Sequence, residues 1–368
     1  MFLVHTFLVA CIFALSTCAS PPATAAVPRP PAKTALQRLV DGLVRDGAPG
    51  AIAVVRTASG IRSAEAGLAR RRPAVPMSPS DRFRVASITK SVVATIVLQL
   101  VAERKLRLDD TVERWLPGLL PDGGGITILE LLDHTSGLFE YEQDVPFVRA
   151  VIARPGRTWS PRKLVAIATL HGSLFSPGSD FSYANTNYIV LGLVAEAVTG
   201  TPLGRLLEHR ILHPLGLEET SFPAGTGMWG LYAHGYIGHA TLPRLHSLYD
   251  ASVVESNSVA WSAGGLVSTS DDVTHFYAAL LGGRLLPPRL LGAMETPSTH
   301  ASYGLGLLVA QTRCGRAYGH EGTATGYRTV VYANRRGTRV ALVMVNVDAT
   351  YVAQPELEAA AETAFCTR

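Results

Sequence analysis

Residues 89–103 constrain this chain more than any other stretch. They carry Val92, Val93, Ala94, Ile96, Val97, Leu98, Leu100 and Val101, with no polar stripe at helical spacing. A helix that is apolar on nearly every side must be surrounded, so the chain has to build layers around it. The same helix holds Lys90, a charge that is costly in such surroundings unless it is used or paired. Only four of the 33 basic residues are lysine (Lys33, Lys90, Lys105 and Lys163), so a lysine there is a chemical signal.

The segments around this helix change character. Thr34 is placed to cap a helix bearing Leu36, Leu39, Val40 and Leu43 on one face. Ala51 to Thr57 reads as a buried strand, Ser59-Gly60 as a turn and residues 61–69 as a weaker strand. Thr127 and Glu130 have capping-box spacing. Residues 187–199 form another apolar helix, stopped by Gly200. Strands return over Leu305–Val309, Thr329–Tyr332 and Val340–Val345, the last two flanking a turn at Asn334-Arg335-Arg336-Gly337. Pro355 and Glu356 mark the start of a final helix. Strands at both ends with helices between them predict an α/β (α+β) fold in two domains. One is discontinuous, residues 34–86 plus 262–368; the other, residues 87–261, is mainly helical. With 368 residues, 47% of them apolar, there is material for both cores.

The first 25 residues contain no Asp, Glu, Lys or Arg, and Phe7–Leu15 is apolar. With Ala23-Thr24-Ala25 as a cleavage site, residues 1–25 read as a signal peptide and 26–33 as a linker, which places the protein outside the cytoplasm. An uncleaved anchor and lipid attachment at Cys18 stay open. Cys11 and Cys18 would leave with the leader. Cys314 and Cys366 remain, either bridged or as two buried thiols. The net charge of +4, without a basic run, excludes a nucleic-acid binder.

Chemistry is carried by Ser87-Ile88-Thr89-Lys90. Residues i and i+3 share a helix face, so an amine lies beside a hydroxyl at a helix N-terminus, where free N–H groups and the dipole favour negative charge. Burial lowers a lysine pKa and makes the amine a usable base. The plain alternative is a serine N-cap with a lysine reaching for solvent.

Further segments turn this motif into a resemblance. Asp81–Lys90, Leu131–Leu138 (Leu-Leu-Asp-His-Thr-Ser-Gly-Leu), Pro177–Tyr188, Ser262–Leu266, Tyr303–Leu307 and Gly319–Thr323 resemble, in this order, the serine β-lactamase and penicillin-binding-protein superfamily. Within it the chain is similar to class C β-lactamases and, more closely, to Streptomyces-type D-alanyl-D-alanine carboxypeptidases. The resemblance spans about residues 35–368. It implies a β-lactamase/transpeptidase-like fold: an antiparallel sheet flanked by helices, an all-helical insertion and an active site between them. Ser87 would be the nucleophile, with Lys90 and Tyr183 sharing general acid and base work and Tyr183 as a tyrosinate beside a cationic lysine. Asn185 would hold Lys90 and the substrate amide. Of the two Tyr-x-Asn sequences, Tyr183-Ala184-Asn185 fits the family's order, and Tyr332-Ala333-Asn334 reads as a hairpin end. His320-Glu321-Gly322 would lie on an edge strand facing Ser87. There His320 would supply a donor or positive field, Gly322 close approach for substrate, and Thr323 an oxyanion N–H together with that of Ser87.

Two departures concern the substrate. Glu321 stands where relatives carry Thr or Ser, its side chain expected to point away from the cleft. Leu308 stands at the slot of the arginine that receives a terminal carboxylate, with Arg328 as a candidate substitute. The resemblance implies a monomeric D-alanyl-D-alanine carboxypeptidase acting on cell-wall peptides and reacting with β-lactams, without metal or cofactor. A β-lactamase, a short-chain esterase and a β-lactam or peptide sensor that never turns over are the alternatives. His134 reads as a helix-ending structural residue, Trp261 as a cleft or core residue, and Asp271-Asp272 as a helix cap.

Overall fold

The computed structural model describes residues 33–121, 125–238 and 248–367; the expected leader and the linker up to residue 32 lie outside them. Helix α1 (Ala35–Arg45) starts on Thr34, whose side chain accepts the Gln37 N–H, and buries Leu36, Val40 and Leu43. Strands β1 (Gly50–Thr57) and β2 (Gly60–Arg70) follow as a hairpin, extended by the short β3 (Val75–Pro76). The chain returns to this sheet with β4 (Leu308–Thr312), β5 (Gly315–Ala324), β6 (Tyr327–Ala333) and β7 (Arg339–Val345). The order is β3-β2-β1-β7-β6-β5-β4, and each neighbouring pair is antiparallel. β1 and β7 pair from Ala51↔Val345 to Thr57↔Arg339, which joins the two ends of the chain in mid-sheet.

Both faces of the sheet are covered. Ala53, Val55, Val330 and Val343 pack with α1 and with the C-terminal helix, Gln354–Cys366. Ile52, Val54, Val331, Leu342 and Met344 face the other way, into the core built around α2 (Ile88–Ala102). Burial on both faces explains why Val340–Val345 is apolar at every position instead of alternating. Helix α2 is enclosed as its composition demands: Val93, Ala94, Ile96, Val97, Leu98 and Leu100 are all fully buried. The apolar helix α3 (Asn185–Thr199) packs against it and ends at Gly200 in a left-handed cap. The Thr127–Glu130 capping box is formed, with both reciprocal bonds present.

Some local expectations are corrected. The strand expected over 305–309 begins only at Leu308. Gly306 has φ +83°, and a Cβ there would lie 2.5 Å from Ala94 Cβ, so this stretch is a turn pressed onto α2. The cap of the helix Ser270–Leu281 is Thr269, which accepts the Asp272 N–H. The Asp272 carboxylate is turned instead to the Glu219 N–H and the Thr220 hydroxyl. Cys314 and Cys366 are bridged across 52 residues, tying the C-terminal helix to the β4–β5 turn.

Candidate active site

The chain enters α2 through a constrained turn. Phe83-Arg84 pairs with Val267-Ser268, and the Val85 N–H donates to Leu266 O. Ala86 then takes φ +49°, a sparsely populated conformation for a residue with a Cβ, and Ser87 stands at the helix N-terminus. The Ser87 side chain caps nothing, so its hydroxyl is available for chemistry.

Lys90 is fully buried. Its Nζ lies 2.9 Å from Ser87 Oγ, 2.6 Å from Asn185 Oδ1 and 2.8 Å from Ala263 O. Burial pulls its pKa down to about 7, against the opposing pull of the Glu140 and Glu142 charges. Near neutral pH much of Lys90 is therefore an amine. That amine has two N–H groups for two acceptor-only oxygens, which leaves its lone pair aimed at the Ser87 hydroxyl. The arrangement suits a general base.

Tyr183 sits on the irregular segment before α3, with its hydroxyl near the Ser87 side chain and its ring centroid 4.9 Å from Lys90 Nζ. Burial of the hydroxyl, with the charges of Glu140, Glu142 and Glu321 adding to it, pushes its pKa up, whereas the nearby Ser87 hydroxyl opposes the rise. The ring edge is open to the cleft, so water tempers the shift but does not reverse it. The tyrosinate expectation is thereby corrected: burial beside three carboxylates keeps the hydroxyl protonated near pH 7, and Tyr183 is a neutral phenol. The Glu140 carboxylate accepts the N–H groups of Asn185 and Glu142, which fixes the start of α3. Tyr332 and Asn334 lie elsewhere; Tyr332 packs near Phe365, and Asn334 bonds Arg339 and Thr338 across the hairpin.

On the facing strand the structure redistributes several expected roles. β5 is not an edge strand, since β4 pairs with it; that pairing ends at Gly319, so residues 320–324 lack a β4 partner. His320 lies 2.6 Å from Glu321 O through Nδ1, and a carbonyl only accepts, so Nδ1 carries the proton. Nε2 then accepts from the Tyr303 hydroxyl at 2.8 Å. Burial, with Lys90 nearby, holds the His320 pKa at about 3. His320 is thus neutral and internally committed, and the expected donor or positive field is absent. Gly322 is required by the protein itself: a Cβ there would come within 2.2 Å of Val85 O. Backbone packing thus calls for a glycine here, alongside the expected close approach of substrate. Glu321 accepts from Gln354 on the C-terminal helix, and burial beside Glu358 raises its pKa to about 7. Arg328 is buried and donates to Val352 O; it lines no part of the cleft, so it does not replace the missing arginine. Trp261 packs against Gly192 of α3 and the core.

The cleft has two lobes that meet at Ser87, of about 600 and 590 Å³. Ser87, Glu142, Asn185 and Thr323 line both. The first adds Glu255 and Asp348 along with Phe147, Val148 and Ile152. The second adds Phe181, Tyr183, Tyr303, Leu308 and His320. Among the described residues, no arginine or lysine lines either lobe. Partial shielding from water and the nearby Glu140 charge push the Glu142 carboxyl up, and its exposure on the cleft wall moderates the rise. Sequence reasoning missed these acids because they come from three distant segments with no common spacing. A separate cavity of about 590 Å³, lined by Leu120, Ile126, Leu138, Phe175 and Pro177 among others, has no charged side chain among the described residues that line it, so size alone does not mark the site.

A family model described as Beta-lactamase matches residues 36–364. A D-stereospecific amidohydrolase from Streptomyces sp. has a similar structure, with TM-score 0.81 and 36% identity, covering 90% of this chain and 98% of that one. The D-amino acid amidase from Ochrobactrum anthropi SV3, complexed with L-phenylalanine amide, matches with TM-score 0.80 and 25% identity, covering 89% and 96%. The D-aminopeptidase of Brucella anthropi is 28% identical over 77% of this chain, which spans about half (53%) of that protein's length.

Proposed function

The chain belongs to the Beta-lactamase family, and on that premise we propose that this serine hydrolase cleaves amides whose acyl part is a D-amino acid with a free α-amine. The carrying observation is the charge of the cleft. Among the described residues, its lining holds Glu142, Glu255 and Asp348 and no cationic side chain. Such a lining attracts an ammonium and leaves a terminal carboxylate without a partner. The three similar proteins, whose names specify D-amino acids or D-stereospecificity, support the same reading.

The chemistry follows from the geometry. Ser87 Oγ attacks the amide carbonyl as its proton passes to the Lys90 amine. The N–H groups of Ser87 and Thr323 are the expected oxyanion donors. The neutral Tyr183 hydroxyl then gives its proton to the departing nitrogen and is reprotonated from Lys90. The C–N bond breaks, an acyl-ester remains on Ser87, and water repeats the sequence to release the acid. An extracytoplasmic setting is part of the proposal, supported by the Cys314–Cys366 bridge.

Rates on D-phenylalanine amide, its N-acetyl derivative, an acylated D-alanyl-D-alanine, a chromogenic cephalosporin and a nitrophenyl ester test this reading, with Ser87→Ala as control. The free-amine amide is expected to be the best amide substrate. Faster turnover of the acylated D-alanyl-D-alanine would overturn the proposal and restore the carboxypeptidase reading.

A further inference from the structure

By its sequence context His134 reads only as a helix-ending residue, yet its surroundings point elsewhere. It is fully buried and takes φ +64°, an uncommon backbone conformation for a residue other than glycine. Its carbonyl accepts the Ser182 N–H at 3.1 Å, and its Nδ1 accepts the Ala184 N–H at 3.2 Å. The two amides on either side of Tyr183 are thus both held by one residue. Its ring lies on the Tyr183 ring, with centroids 4.3 Å apart and planes 31° apart.

The tautomer is fixed by these contacts. A backbone N–H can only donate, so Nδ1 has no proton, and Asn187 Nδ2 donates to the same atom at 2.9 Å. Nε2 therefore carries the hydrogen and has no hydrogen-bond partner among the described residues. It is enclosed by aromatic rings: Tyr303 at 4.9 Å edge-on and Tyr188 at 5.3 Å. A residue kept only to end a helix needs neither the ring stack nor a buried N–H without a partner.

We propose that His134 is a positioning residue for proton transfer: it clamps the irregular segment on both sides of Tyr183 and stacks on its ring, and so sets the Tyr183 hydroxyl beside Ser87. Asparagine tolerates positive φ and lacks the imidazole ring, so His134→Asn removes the stack at the lowest backbone cost. In the native background it is expected to lower kcat by about 10- to 100-fold with little change in KM, as small misplacements of a reacting group do. In a Tyr183→Phe background the same change should cost at most about twofold, because no hydroxyl remains to be misplaced. Equal losses in both backgrounds, or no loss in the first, would overturn the proposal. Should His134→Asn not fold, as judged by its thermal transition, His134→Gln serves in the same cycle.

Discussion

Lys90 Nζ lies 2.9 Å from Ser87 Oγ, and its two other hydrogen bonds run to Asn185 Oδ1 and Ala263 O, neither of which can donate. Only the deprotonated amine can take the serine proton from this position. With a pKa of about 7, kcat/KM for acylation should rise with pH through that value. Lys90→Arg cannot lose its proton and should reduce acylation on the order of 10²- to 10⁴-fold. Stability should follow the same group. The folded protein releases the Lys90 proton near pH 7, whereas an unfolded lysine holds it to about 10.5. Between these values the unfolded state binds more protons, so stability on this account rises with pH. Denaturation at pH 7 and pH 9 should show a smaller gain for Lys90→Met than for the native protein, and equal gains would refute the shift.

Glu142 lines both lobes, next to Ser87, and is the acid best placed to meet a substrate amine. Glu142→Gln should raise KM for free-amine D-amino acid amides about 10-fold at low salt, a figure kept modest because the side chain is exposed. The effect should shrink as salt is added and vanish for N-acetylated substrates. Steady-state kinetics on the acetylated and free pairs decides this. A matching loss on both would mean that Glu142 acts on the fold or the chemistry, not on the amine.

What the sequence made legible was whatever depends on local pattern. The enclosed helix α2, the Thr127 capping box and the Val340–Val345 strand follow from apolar spacing or capping chemistry, and the Ser87–Lys90 contact follows from helix geometry. What stayed hidden depends on distant chain segments. The strand expected from Leu305 starts only at Leu308 because Gly306 is committed to a turn against Ala94, a contact about 210 residues away in sequence. His320 lost its expected positive field through burial, which residue spacing does not report. The role inferred for His134 comes from two amides and one ring near residue 183, about 50 positions on.

Leu308 marks the difference between this cleft and one built for a carboxylate. It lines the lobe with Phe181 and Tyr303, where a charged chain end would find no cation. Leu308→Arg supplies one. A charge-assisted bond of about 1.5–3 kcal/mol predicts roughly a 10-fold or larger gain in kcat/KM on acylated D-alanyl-D-alanine, and no gain on neutral amides. The absence of any gain on the carboxylate substrate would show that Leu308 is not the determinant.

Gly322 separates two explanations of one glycine by where the cost of a methyl group appears. If the residue served only substrate approach, Gly322→Ala would fold as stably as the native protein and lose activity alone. The structure instead puts the new Cβ 2.2 Å from Val85 O and 3.4 Å from Ala86 Cβ. Val85 has little freedom to retreat, since its N–H is bonded to Leu266 O and Ala86 already takes φ +49° on the way into Ser87. The strand and the nucleophile turn must therefore move apart. The expected result is a loss of about 1–3 kcal/mol in urea denaturation, the range for forced overpacking, together with slower acylation as Ser87 and Thr323 separate. Unchanged stability with lost activity would return Gly322 to the substrate.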